Sequence, residues 1–83
     1  MPLKFVQAAN GQLPAGAYIG GHDNGPQYVA RANHEGSLVP GKFVPQHGVT
    51  YVSWGGKEHA KDQYKVLVGM MQAMEAWGPP ELL

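Results

Sequence analysis

The chain contains no cysteine, which removes disulfides, thiolate metal sites and cysteine nucleophiles together. Charge is scarce and balanced. Only 14% of the 83 residues are charged, six basic and six acidic, for a formal net charge of zero. The basic residues Lys4, Arg31, Lys42, Lys57, Lys61 and Lys65 are scattered, and Glu58 and Asp62 interrupt the one denser stretch. No continuous basic stripe therefore exists to follow a phosphate backbone, which argues against nucleic acid as a partner. An apolar run long enough to span a membrane is also missing, as is a charged leader ahead of an apolar segment. The expectation is a mature cytoplasmic protein without membrane insertion.

Nucleophilic hydroxyls are few. Ser37, Thr50 and Ser53 are the only serine and threonine residues, and none stands in a nucleophile motif. The four histidines, His22, His34, His47 and His59, fall at intervals of 12, 13 and 12 residues. Zinc sites usually include one close ligand pair to fix local geometry. None is present, so no metal or other cofactor is expected.

What the chain does have is punctuation: 12 Gly and seven Pro separate short apolar runs that alternate with period two. This is an all-β pattern. Strands are predicted at Leu3 to Ala8, Ala15 to Gly20, Tyr28 to Asn33, Val49 to Trp54 and Gln63 to Val68. Leu38 to Val44 reads as extended but interrupted at Pro40-Gly41 by a type II turn or bulge. Turns are expected at Asn10-Gly11, Asp23-Asn24-Gly25-Pro26, His34 to Ser37 and Gln46 to Gly48. Tyr51 and Trp54 are three residues apart on one strand and face opposite sides. Core packing is the expected role of at least one.

After Gly69 the composition changes. Met70, Met71, Met74 and Trp77 fall at helical spacing, and Gly78-Pro79-Pro80 would stop a helix. The division is a β domain over residues 1–69 and an apolar tail over 70–83, a short helix or an exchanged segment that docks or dimerises. The fold class is a small antiparallel β-sandwich.

The scarce charges concentrate at turns. Gly20-Gly21-His22-Asp23-Asn24-Gly25 and Pro40-Gly41-Lys42 are answered later by Gly55-Gly56-Lys57-Glu58-His59. Ile19 to Asp23 and Trp54 to Glu58 even share an order: an apolar residue, two glycines, a base and an acid. Carboxylates accept hydroxyl protons, an ammonium donates in return, and glycines such as Gly41 leave backbone N–H groups accessible. Polyhydroxylated ligands need that mixture. The candidate ligand-binding residues are Asp23, Lys42, Glu58, Lys57, His59, His22 and Gly41. Taken one by one, Asp23 could simply close its own turn, Lys42 could be a solvated loop residue, and Lys57, Glu58 and His59 could be a surface cluster on a hairpin end.

These residues carry a resemblance to the DM-nine repeat proteins, whose characterised members include mannose-specific lectins. The shared motifs are Asn10-Gly11-x-x-Pro14, Gly21-x-Asp23, Val29-Ala30-Arg31-Ala32, Gly36-x-x-x-Pro40-Gly41-Lys42, Gly56-Lys57-Glu58-His59 and Tyr64-x-Val66-Leu67-Val68. The resemblance implies a β-sandwich with a mannose site in which Asp23 and Lys42 hydrogen-bond the hexose. Lectins of this family usually carry two tandem repeats, and this chain has one. The resemblance thus implies a two-fold homodimer in place of the tandem, with Trp77 standing where a second repeat would open.

The resulting expectation is a non-catalytic, mannose-binding lectin. One alternative is an assembly domain whose tail exchanges between subunits and whose sugar site is vestigial. A glycosidase built on Asp23 and Glu58 ranks third, because such a pair needs one raised pKa and neighbouring lysines act in the opposite direction.

Overall fold

A computed structural model describes residues 3–69, which form seven strands and no helix. The strands are β1 (Leu3–Ala9), β2 (Ile19–His22), β3 (Pro26–His34), β4 (Ser37–Val44), β5 (Val49–Trp54), β6 (Lys57–Lys61) and β7 (Gln63–Gly69). All pairings are antiparallel, in the order β1-β7-β3-β4-β5-β6, with β2 also on β3. The all-β antiparallel expectation holds. The predicted helix or exchanged tail at 70–83 lies outside the described residues.

The hydrogen-bonded strands belong to one continuous sheet, and that sheet curls. Cα atoms of β5 and β7 come within 8 Å of each other. A flat sheet would hold them roughly 14 Å apart, because β3 and β4 lie between them at about 4.8 Å per strand. Curling encloses a core of Ala8, Ala30, Ala32, Val39, Phe43, Val52, Tyr64 and Val66. Phe43 and Tyr64, from β4 and β7, stack at its centre with ring centroids 4.9 Å apart. The Tyr64 hydroxyl leaves this core to donate to the Gln12 carbonyl (2.9 Å) and accept from the Gly11 N–H (3.1 Å). One buried phenol thereby ties the Asn10-Gly11 turn to the sheet.

Alternation explains the core. Ala30 and Ala32 point inward from β3, opposite Gly41 and Val39 of β4, while Arg31 points outward. The β3–β4 and β5–β6 hairpins close through two-residue turns, Glu35-Gly36 and Gly55-Gly56, with φ of 49° and 81° and of 61° and 77°. Positive φ at both positions matches the right-handed twist of the flanking strands.

Three elements differ from the sequence reading. Strand β2 begins at Ile19 rather than Ala15, because the preceding stretch runs beside β7, where Tyr18 N–H donates to Leu67 (3.0 Å) and Ala17 bridges Val68. Strand β4 passes through Pro40-Gly41 without turning. Its pairing with β5 starts at Gly41, so Pro40 stands one residue beyond that ladder, a position compatible with a missing donor. Finally, Lys57, Glu58 and His59 belong to strand β6 rather than to a turn.

Candidate functional site

The outer side of the sheet collects the polar residues that alternation excludes from the core. Lys42 on β4 is the register partner of Tyr51 on β5, and Ser53 on β5 is the partner of Glu58 on β6. Directly opposed residues leave an antiparallel pair on the same side. Asp23 reaches the same place from the β2–β3 turn, where its N–H donates to the Gly25 carbonyl (2.9 Å). Together with Gly41 and Gln27 these residues line an open depression of about 570 Å³. A second hollow of about 360 Å³ continues it past Asn24, Gln46 and His47, sharing Asp23, Gln27, Tyr51 and Glu58.

The sheet's period of two decides which candidates meet. Glu58 points outward into the depression, whereas its neighbours Lys57 and His59, paired with Trp54 and Val52, point to the other side. His22, exposed at the end of β2, does not line the depression either. Asp23, Lys42, Gly41 and Glu58 are brought together; Lys57, His59 and His22 are not. The two similar glycine segments also differ in conformation. Gly55 and Gly56 form a positive-φ turn, while Gly20 and Gly21 lie in a bulged strand, yet the acids that follow them, Asp23 and Glu58, line one surface.

The charges at the site are open. Among the described residues, none of Asp23, Lys42 or Glu58 makes an ion pair or a side-chain hydrogen bond. Two carboxylates and an ammonium therefore stand on one surface with donors and acceptors available. The aromatic wall is fixed. Tyr51 bonds His47 Nδ1 through its hydroxyl (2.8 Å), the two rings meeting edge-on with centroids 5.6 Å apart. Beside it, the Gln46 side-chain amide donates to the Asn24 carbonyl and braces the β2–β3 turn.

Close backbone approach also shapes the depression. A Cβ built on Gly41 would overlap the Tyr51 carbonyl oxygen and crowd Val52. Glycine at this position lets β4 lie tightly against β5 and seats Lys42 beside Tyr51.

Gln27, Ser53, Gln46 and His47 join the surface although none is among the ligand-binding candidates of the sequence. The hairpin β5–β6 was the signal that would have found Ser53, since a Gly-Gly pair between two segments fixes which residues face each other. Neither Tyr51 nor Trp54 is a core residue; Trp54 is 37% exposed. On the other side of the sheet, Trp54 meets His34 edge-on at 5.7 Å, and His34 lies over His59 at 4.2 Å.

The all-β sheet thus bears an open, charged depression with an aromatic wall. A family model for the DM9 repeat matches residues 22–80, more than half of the chain. The chain belongs to the DM9 repeat family, which is known for carbohydrate binding. The match extends beyond Val68, where the recognisable motifs stop. No curated protein matches the chain.

Proposed function

We propose that the protein is a non-catalytic lectin whose preferred monosaccharide is mannose. The observation that carries this reading is the convergence of Asp23, Lys42 and Glu58, unpaired with one another, beside the Tyr51 ring. Asp23 accepts from adjacent sugar hydroxyls, Lys42 donates to a hydroxyl oxygen, and Glu58 closes the far wall. Tyr51 offers its ring to the apolar side of the hexose. Membership of the DM9 family supports a carbohydrate as ligand. The motifs shared with mannose lectins favour mannose.

A monosaccharide offers few atoms and must shed bound water, so a single site is weak and function depends on several linked sites. We propose a homodimer for that purpose. Leu13 and Ile19 are 40% and 52% exposed beside Ala17 and Tyr28, an apolar patch that a second copy can cover with two-fold symmetry. Light scattering of wild type against Ile19→Lys tests it: a dimer that the lysine dissociates supports the proposal, and a monomeric wild type removes it.

Calorimetric titration with mannose tests the lectin reading. Wild type should bind and Asp23→Ala should lose tenfold or more, since a hydrogen bond to a charged group contributes about 1.5–3 kcal/mol and 1.4 kcal/mol is tenfold. Equal binding by both proteins would overturn the site.

A further inference from the structure

A separate cavity, of about 350 Å³, opens where β7, β3 and the β6–β7 junction meet. It shares no lining residue with the Asp23–Lys42–Glu58 depression. Its charged residues are Arg31, Lys61 and Lys65 against the single carboxylate of Asp62, with the side-chain amides of Gln7, Asn33 and Gln63 alongside.

Three features of this cavity lack an explanation within the fold. Arg31 and Lys65 are direct register partners on β3 and β7, so two positive side chains leave the sheet side by side. Like charges placed directly opposite one another destabilise a strand pair. Neither of them, nor Lys61, forms an ion pair among the described residues. Lastly, Arg31 Nε is buried and has no hydrogen-bond partner among the described residues. A buried guanidinium donor left unpaired is costly, and native structures rarely tolerate one without a reason.

The guanidinium is also held in place. Its central carbon lies 3.8 Å from the centroid of the Phe5 ring. Stacking holds the planar group, and with Nε buried it is the terminal Nη N–H donors that stay open to an acceptor. A fixed guanidinium flanked by two ammonium groups and three side-chain amides outweighs the one carboxylate of Asp62 and is a donor set for a compact oxyanion.

We propose that the cavity lined by Arg31, Lys61 and Lys65 is a second binding site, taking a phosphate or sulfate group either as the free anion or as the ester of a sugar. Arg31 holds two oxygens through its terminal N–H donors, Lys65 and Lys61 neutralise the charge, and Gln7, Asn33 and Gln63 donate to the remaining oxygens. The volume lies at the small end of ligand sites, which run from roughly 300 to 1,000 Å³. Such a site is independent of the mannose reading.

The test is a titration of the full chain with sodium phosphate at constant ionic strength, followed by the Arg31 Nε–H resonance, with sodium chloride as control. A parallel arm uses glucosamine 6-sulfate. Saturable shifts at Arg31 and over residues 61–65 with either oxyanion, absent with chloride, support the site. Tighter binding of the sulfated sugar identifies an ester as the ligand, and equal binding the free ion. Lys65→Gln should weaken binding at least fivefold and leave mannose titration unchanged. Arg31→Gln should abolish oxyanion binding; if that variant does not fold, Lys65→Gln alone decides. Shifts that fail to saturate, or that chloride reproduces, overturn the proposal.

Discussion

Lys42 and Tyr51 stand directly opposite each other on β4 and β5, so an ammonium and a phenol ring share the outer surface of the sheet and line the same depression. The tyrosine is held through its hydroxyl by His47. If the ring forms an apolar wall for a hexose, Tyr51→Ala should weaken mannose binding by about two- to tenfold, in line with about 0.5–1.5 kcal/mol for an aromatic contact beyond simple burial. Tyr51→Phe should keep most of the affinity. Calorimetry on the two variants checks the order.

Gly41 makes that arrangement possible, because a side chain there would meet the backbone of β5. Gly41→Ala should cost about 1–3 kcal/mol by forcing the strands apart. It should also reduce mannose affinity by displacing Lys42 from Tyr51. Urea unfolding reads the first effect and sugar titration the second. Unchanged stability would mean that the β4–β5 contact is looser than described.

Much of this architecture is legible in the residues. Period-two alternation sets Tyr28, Ala30 and Ala32 on one face of a strand, the face that the structure turns to the core, and turn chemistry marks Asn10-Gly11 and His34 to Ser37. Strand β6 is not legible by propensity, because Lys57-Glu58-His59-Ala60-Lys61 contains no β-branched or aromatic strand former; its pairing with β5 makes it a strand. Missing β6 also obscures the site, since only a strand separates Glu58 from Lys57 and His59. Pro40-Gly41 misleads for a related reason. Its turn signal is real in isolation and is overridden by two flanking strands.

Tyr64 offers a test of the core. Its hydroxyl bonds both the Gly11 N–H and the Gln12 carbonyl, and burial pushes its pKa up while the Gly11 bond acts in the other direction. Tyr64→Phe keeps the stack on Phe43 but leaves both backbone groups without their partner. A loss of about 1–3 kcal/mol in urea unfolding is expected, with increased hydrogen exchange confined to residues 10–14.

Acid should weaken the fold through His34. Burial lowers its pKa from the ordinary 6.5, and the positive charge of Lys61 and the nearby His59 add to the effect, while Glu35 opposes it. Because the folded state resists protonation, the stabilisation is complete above pH 6.5 and is lost as pH falls below it. The urea midpoint of wild type should therefore drop on acidification through that value. His34→Gln should flatten the drop, and an identical pH profile in the variant would assign the effect to another group.

The most direct test of the lectin site is an amide chemical-shift titration of the whole chain with mannose. Saturable shifts are expected at Asp23, Lys42, Tyr51 and Glu58, four positions on four separate segments that meet only in this depression, with no matching response in Asp23→Ala. Absence of any shift at millimolar mannose, or shifts confined to residues away from these four, would contradict the lectin site.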